Sequence, residues 1–258
     1  AEPANLFQAV MLIILHSLPI CAMAGPDIAF AGVHPVSVVL FLSYLAGVRA
    51  SSVVSEDPMW RPVKTDATRE DEPEDEKETG RSARGPALRF ATLVAIMGTG
   101  GWVISQVGAT FIERFSLSSS LVGALITAVV TSLPELVTTL VAVRRGALQL
   151  AVGGIIGGNS FDVLFLTLSD FGYRDGSLYH AIGQGDLFWL IVGQAMTAVL
   201  LLGLIVREKQ GPGNIGWESV LMLSIAGAGT GQPQSEVHVG VTATAALANG
   251  QEDVSGEL

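Results

Sequence analysis

The sequence predicts an all-α integral membrane protein of about six transmembrane helices plus a partial seventh. Three observations carry this. Only 15% of the 258 residues are charged while 49% are hydrophobic, against roughly 25% charged in soluble domains. Mean hydropathy is +0.50. The hydrophobic residues also fall in runs of about 20, the length a helix needs at 1.5 Å per residue to cross a ~30 Å hydrocarbon core. Thirty glycines exceed the usual ~7% and suit close contact between helices. The single cysteine, Cys21, excludes an internal disulfide and a thiolate metal cluster. The net charge of −10 leaves no basic field for nucleic acid.

Residues 1–49 hold two predicted helices, 6–24 with Pro19 inside it and 29–48 ending at Arg49, and neither carries an acid. Residues 50–87 break the pattern. The stretch REDEPEDEKETGRSARG has no large apolar residue and reads as an acidic, solvated, disordered linker. A membrane domain is expected over 88–229. It opens with a helix at 88–112, then Ser118–Ser120 as N-caps for a helix over 119–143. After a basic turn at Arg144-Arg145 comes a helix over 149–169, then a polar loop and a lipid-facing helix at 187–206. GWESVLMLSIAGAG is too short to cross unaided, and 230–258 is a polar tail.

Chemistry concentrates in the pair 119–143 and 149–169. Glu135 and Asp162 are the acids inside it, and each costs roughly 2.5–3.5 kcal/mol at mid-membrane. Counted from the shared turn, both fall in the middle third of the bilayer. Thr131 and Glu135 are i and i+4 and share a helix face, with Ser132 beside them; Asn159 and Asp162, i and i+3, share another. Pro134 has no N–H, which frees the Val130 carbonyl, and freed backbone at this depth suits a cavity or an ion. The donors are hard oxygens without imidazole or thiolate, a set for calcium or sodium rather than zinc or copper. The glycines of GGIIGG suit helix packing as well. A structural acid pair and an intramembrane proteolytic dyad are the competing readings of the two carboxylates.

Thr131-Ser132-Leu133-Pro134-Glu135-Leu136 and AVGGIIGGNSFD, ending at Asp162, resemble the second alpha-repeat signatures of the cation/calcium exchanger superfamily, the sodium/calcium antiporters in particular. The resemblance implies a secondary antiporter rather than an enzyme, exchanging calcium against sodium or protons, with these ions as cargo and no cofactor. It implies Glu135, Asp162, Thr131 and Ser132 as cation ligands, with Asn159 close by. Gly154 stands where many members have Asn, and Gly158 where many have a ligand Ser. The implied fold is the second half of an inverted-repeat exchanger, whose first two helices here correspond to the end of a first half. One repeat where the family uses two implies a truncated chain, a first-repeat half-protein from another gene, or an antiparallel homodimer; truncation is the expectation. The competing class is a membrane scaffold or degenerate paralogue that keeps the motif without transport.

Basic residues set the orientation. With 50–87 in the cytoplasm of a cell-membrane protein, only Arg114 and Arg174 among the 14 Lys and Arg residues fall outside. Such asymmetry argues against an antiparallel dimer. A protease added from the cytoplasmic side should therefore cut within 65–85 and spare the 170–185 loop, read by fragment mass. Cleavage of 65–85 from the external side alone would reverse the assignment.

Overall fold

The computed structural model describes residues 2–61, 84–117, 119, 122–206 and 216–230. Most of the acidic linker, the Ser118 and Ser120 caps, the turn over 207–215 and the tail beyond Thr230 lie outside the described residues. The described chain is helical, with a lone β-bridge between Phe30 and Val33. In order come α1 (Pro3–Ala24), α2 (Pro35–Glu56) and α3 (Arg84–Phe115). A π-helical turn (Val122–Thr127) then runs into α4 (Ala128–Thr131). After these lie α5 (Leu133–Arg144), α6 (Leu148–Asp162), α7 (Leu164–Gly172), α8 (Leu178–Ala181), α9 (Gln184–Val206) and α10 (Trp217–Thr230). Five stretches are long and apolar enough to cross a membrane: Pro3–Ala24, Pro35–Glu56, Gly85–Phe115, Leu148–Gly172 and Gln184–Val206. This is an all-α, multi-pass membrane protein.

The helix bounds differ from the hydropathy runs for local reasons. Proline at the first helical position starts α2 at Pro35 rather than at 29, and the His34 ring caps it by accepting the Val36 N–H at 3.1 Å. Residues 30–33 instead turn back on themselves, with Ala31 and Gly32 at φ of 52° and 79°. The helix also continues to Glu56, so the first residues of the 50–87 segment are helical. Ser51, in that extension, accepts from Gln8 Nε2 at 2.8 Å.

The bundle is built around α1, which packs against α2, α6, α8 and α9. Ala9, Leu12, Leu15, Leu40, Ile156 and Val163 form its buried core. Three neighbours meet α1 at a glycine, where a Cβ would stand 2.8 Å from Met11 at Gly47, 2.9 Å from Asn5 at Gly153 and 3.6 Å from His16 at Gly193. Backbones approach closely where no side chain intervenes, as lipid-embedded helices require in the absence of a hydrophobic drive between them. The expectation of a lipid-facing 187–206 helix is thus corrected on one side. Gln194 on α9 donates to Ser17 Oγ and to the Ile13 carbonyl of α1. The α3 helix is the opposite case: most of it is exposed, and it touches the π-helical turn, where Gly108 approaches Thr127 and Val122.

One end of the bundle is tied by a buried carboxylate that the apolar pattern assigns to a loop. The run FLTLS ends at Ser169, yet α7 continues to Gly172 and buries Asp170 completely. Its oxygens accept from the His34 N–H at 2.8 Å, Ser37 Oγ at 2.6 Å and the Leu178 N–H at 3.1 Å. Ser37 has given its hydrogen to Asp170, so it accepts the Tyr179 hydroxyl, 2.9 Å away. His180 Nε2 donates to the Gly25 carbonyl at 3.1 Å. Asp170 thereby joins α2, α7 and α8, and His180 adds the end of α1. Removing a buried acceptor strands every donor that pointed at it.

Asp170→Ala should accordingly lower the thermal midpoint in detergent by roughly 6–12 °C, taking about 3 kcal/mol for the stranded donors. An unchanged midpoint would mean that the carboxylate carries none of the packing. Tyr179 gives a second measurement. Burial pushes its phenol up to about 12, with a further push from Asp170. The proton is held more tightly folded than unfolded, so the contribution is complete below about pH 10 and lost as pH rises towards about 12. Wild type should lose more stability than Tyr179→Phe across that window.

Candidate cation site

Two antiparallel helices carry the candidate ligands, and a tight reversal joins them. Gly146 sits at φ 77°; its N–H reaches the Val143 carbonyl at 3.0 Å, and the Ala147 N–H reaches Ala142 at 2.9 Å. This pair of bonds around a left-handed glycine is the Schellman termination. Ala142, Ala147 and Ala151 close the contact beneath it.

Both acids stand at interruptions. The helix over 119–143 breaks at Ser132, between α4 and α5, and Glu135 lies in the first turn of α5. Pro134 explains the break, since it cannot donate back along the ladder. A carboxylate in a first turn is also favoured by the exposed amide dipoles of that end. On the other strand of the hairpin Asp162 is the last residue of α6, and Val163 separates it from α7. The interruptions are shallow: Ser132 N–H still reaches Ala128 at 2.9 Å, and Val163 N–H reaches Asn159 at 3.3 Å. At 1.5 Å per residue the acids lie about 14 Å and about 21 Å from the shared turn.

Thr131 and Asn159 each direct a hydrogen inward. Thr131 Oγ1 donates to the Thr127 and Ala128 carbonyls at 3.0 and 3.2 Å, and Asn159 Nδ2 donates to Ile155 at 2.8 Å. Each bond spends a donor on the helix itself and leaves oxygen lone pairs facing out. Thr131, Ser132, Glu135, Asn159 and Asp162 are all exposed. The face thus presents two carboxylates, two hydroxyl oxygens and an amide oxygen, all acceptors, which suits a cation. Among the described residues no three His, Cys, Asp or Glu side chains converge as a metal cluster.

Two features of this face escape the sequence reading. The first is the π-helical turn Val122–Thr127 one turn before Thr131, a distortion that recurs at functional sites and has no residue signature here. The second is the division of labour among the glycines. Gly153 packs on Asn5, whereas Gly154 and Gly158 have nothing within 4 Å of a built Cβ. Spaced by four, Gly154, Gly158 and Asp162 lie in one row along α6, so the backbone beside the carboxylate is bare.

The comparisons with known proteins fall on this region. The family model for "Sodium/calcium exchanger protein" matches residues 86–228. Over 114 residues the chain is 30% identical to the sodium/calcium exchanger MaX1 of Methanosarcina acetivorans, covering 44% of this chain and 30% of that protein. Over 55 residues it is 44% identical to a candidate antiporter, CaxA, of Alkalimonas amylolytica, covering 21% of this chain and 17% of that one. The matches therefore span less than a third of either relative. No solved structure matches the chain. The family match takes in more than half of the 258 residues and every ligand candidate on the open face, and the chain belongs to the sodium/calcium exchanger family.

Proposed function

We propose that this chain supplies one half of the ion site of a secondary cation antiporter, exchanging calcium against sodium or protons. One observation carries the reading: five acceptor side chains on two broken, antiparallel helices are all exposed. Facing lipid, that row would be prohibitively costly, because hydrocarbon offers neither water nor donors. Facing a second polar surface, it becomes a cation site. Glu135 and Asp162 neutralise the charge, Thr131 and Ser132 contribute hydroxyl oxygens, and Asn159 Oδ1 and the Val130 carbonyl complete the near side. Calcium takes six to eight oxygens, more than one such face closes around an ion. The bare backbone at Gly154 and Gly158 supports close approach of a facing helix. That facing surface is a first-repeat half carrying its own acid. Alternating access then follows from one half moving against the other around the midplane, with the 50–87 loop on the cytoplasmic side of the cell membrane.

Gly158 favours one competing reading, a non-transporting scaffold, because it lacks the side-chain oxygen expected there. Calcium-dependent thermal stabilisation of the assembled halves separates the two, since only a native state that binds the ion gains stability from it.

The chain alone in liposomes should fail to exchange calcium, and co-expression with a first-repeat half should restore sodium- or proton-driven uptake. In that assembly Glu135→Gln or Asp162→Asn should cut calcium flux by about a hundredfold or more, while membrane insertion is kept or eased. Robust uptake by the monomeric chain alone would refute the half-site, and normal flux in both variants would make the carboxylates structural.

A further inference from the structure

We infer that the cavity between α1, α2 and α6 is a second cation site, built from neutral oxygens for a monovalent ion such as sodium. The cavity measures about 210 Å³, room for about seven waters at ~30 Å³ each. Its polar lining comes from Gln8, Tyr44, Ser51, Ser52 and Ser160, with no charged side chain among them. Gln8 Nε2 is spent on Ser51 Oγ, but Gln8 Oε1 is buried with no hydrogen-bond partner. Ser52 and Ser160 give their hydrogens to the Val48 and Ile156 carbonyls, at 3.2 and 2.8 Å. Their lone pairs, like the Gln8 oxygen, remain for a guest. A buried acceptor left without a donor marks a missing water or ion.

The Gln8 oxygen lies on the α6 side of the cavity, 3.9 Å from a Cβ built on Gly153. Hard oxygen donors recruit hard cations. Without a carboxylate they compensate too little of the dehydration of a divalent ion, which selects a single charge. The inner end at Ser160 is about 3 Å of helix rise from Asp162, yet residues two apart point to nearly opposite sides. The cavity is therefore screened by α6 from the carboxylate face and does not depend on the function proposed for it.

The test uses the full chain in detergent, with both open-face acids replaced as Glu135→Gln/Asp162→Asn. Replacing N-methylglucamine chloride by sodium chloride at constant ionic strength should raise the thermal midpoint by roughly 2–5 °C at a tenfold excess over Kd. Ser160→Ala should remove most of that rise. So should Gly157→Val, which adds volume where a built Cβ meets nothing within 4 Å. A carboxylate-free protein indifferent to sodium would overturn the inference, as would a rise that survives both cavity variants. Occupation by a lipid or detergent tail would show as that same indifference. Failure of calcium exchange, by contrast, would leave this measurement untouched.

Discussion

In hydrocarbon a polar group cannot turn to water when its protein partner is missing, and this constraint separates two sets among the described polar residues. One is paired inside the bundle: Asp170 with Ser37, His34 and Leu178, Gln194 with Ser17, and Asn5 with the Gln149 carbonyl. The other lines one open face, where Thr131 and Asn159 bond only to their own helices, and Glu135 and Asp162 stand exposed beside them. The paired set fixes how the helices sit. The open set does not, and the distinction lies in where hydrogen bonds end rather than in residue type.

The paired set explains why α1 and α2, whose apolar spans carry no acid, matter to a candidate site they do not touch. Asn5 anchors the start of α6 by donating to Gln149 O at 3.1 Å, and Asp170 anchors the far end of the same strand through α7. Between those ties Ile156 and Val163 are buried against Leu12, Leu15 and Leu40. The α6–α7 rod is thus held at both ends and along one side, which sets Asp162 on the side left over. The α4–α5 segment has no comparable support. It meets α6 near the Arg144 turn and α3 through the π-helical turn. Of the two acids, Asp162 is placed by the bundle and Glu135 by the hairpin.

Much of this was legible in the sequence because it depends on local covalent facts. Apolar run length gives the helices, and Pro134 gives a break within a residue or two of its observed place. The illegible parts depend on distant partners. Nothing near Asp170 distinguishes it from Asp175 or Asp186 in the same polar stretch. Its burial follows from Ser37 and His34, more than 130 positions away in the chain. Likewise the run at 187–206 has too weak an amphipathic pattern to reveal that Gln194 faces Ser17. The ends of α2 were displaced by capping at His34 and by Ser51 meeting Gln8, and both choices are made after the chain folds back. Gly153, Gly154, Gly157 and Gly158 look equivalent as letters, yet only Gly153 has a neighbour against it.

The same logic accounts for the sign of the charge that the open face accepts. A helix in lipid supplies a hydroxyl or amide donor with one ready acceptor, the carbonyl a turn earlier, and Thr131, Asn159 and Ser160 all use it. Once those hydrogens are absorbed by the backbone, such side chains present oxygen outward. Carboxylates at Glu135 and Asp162 add to that surplus, and the first basic residues on the hairpin are Arg144 and Arg145 at its turn. An anion brought to this face would meet two carboxylates and mostly lone pairs, whereas a cation meets complementary oxygen. On the proposed reading, cation preference arises from where ordinary side chains direct their protons, and the two acids set its strength.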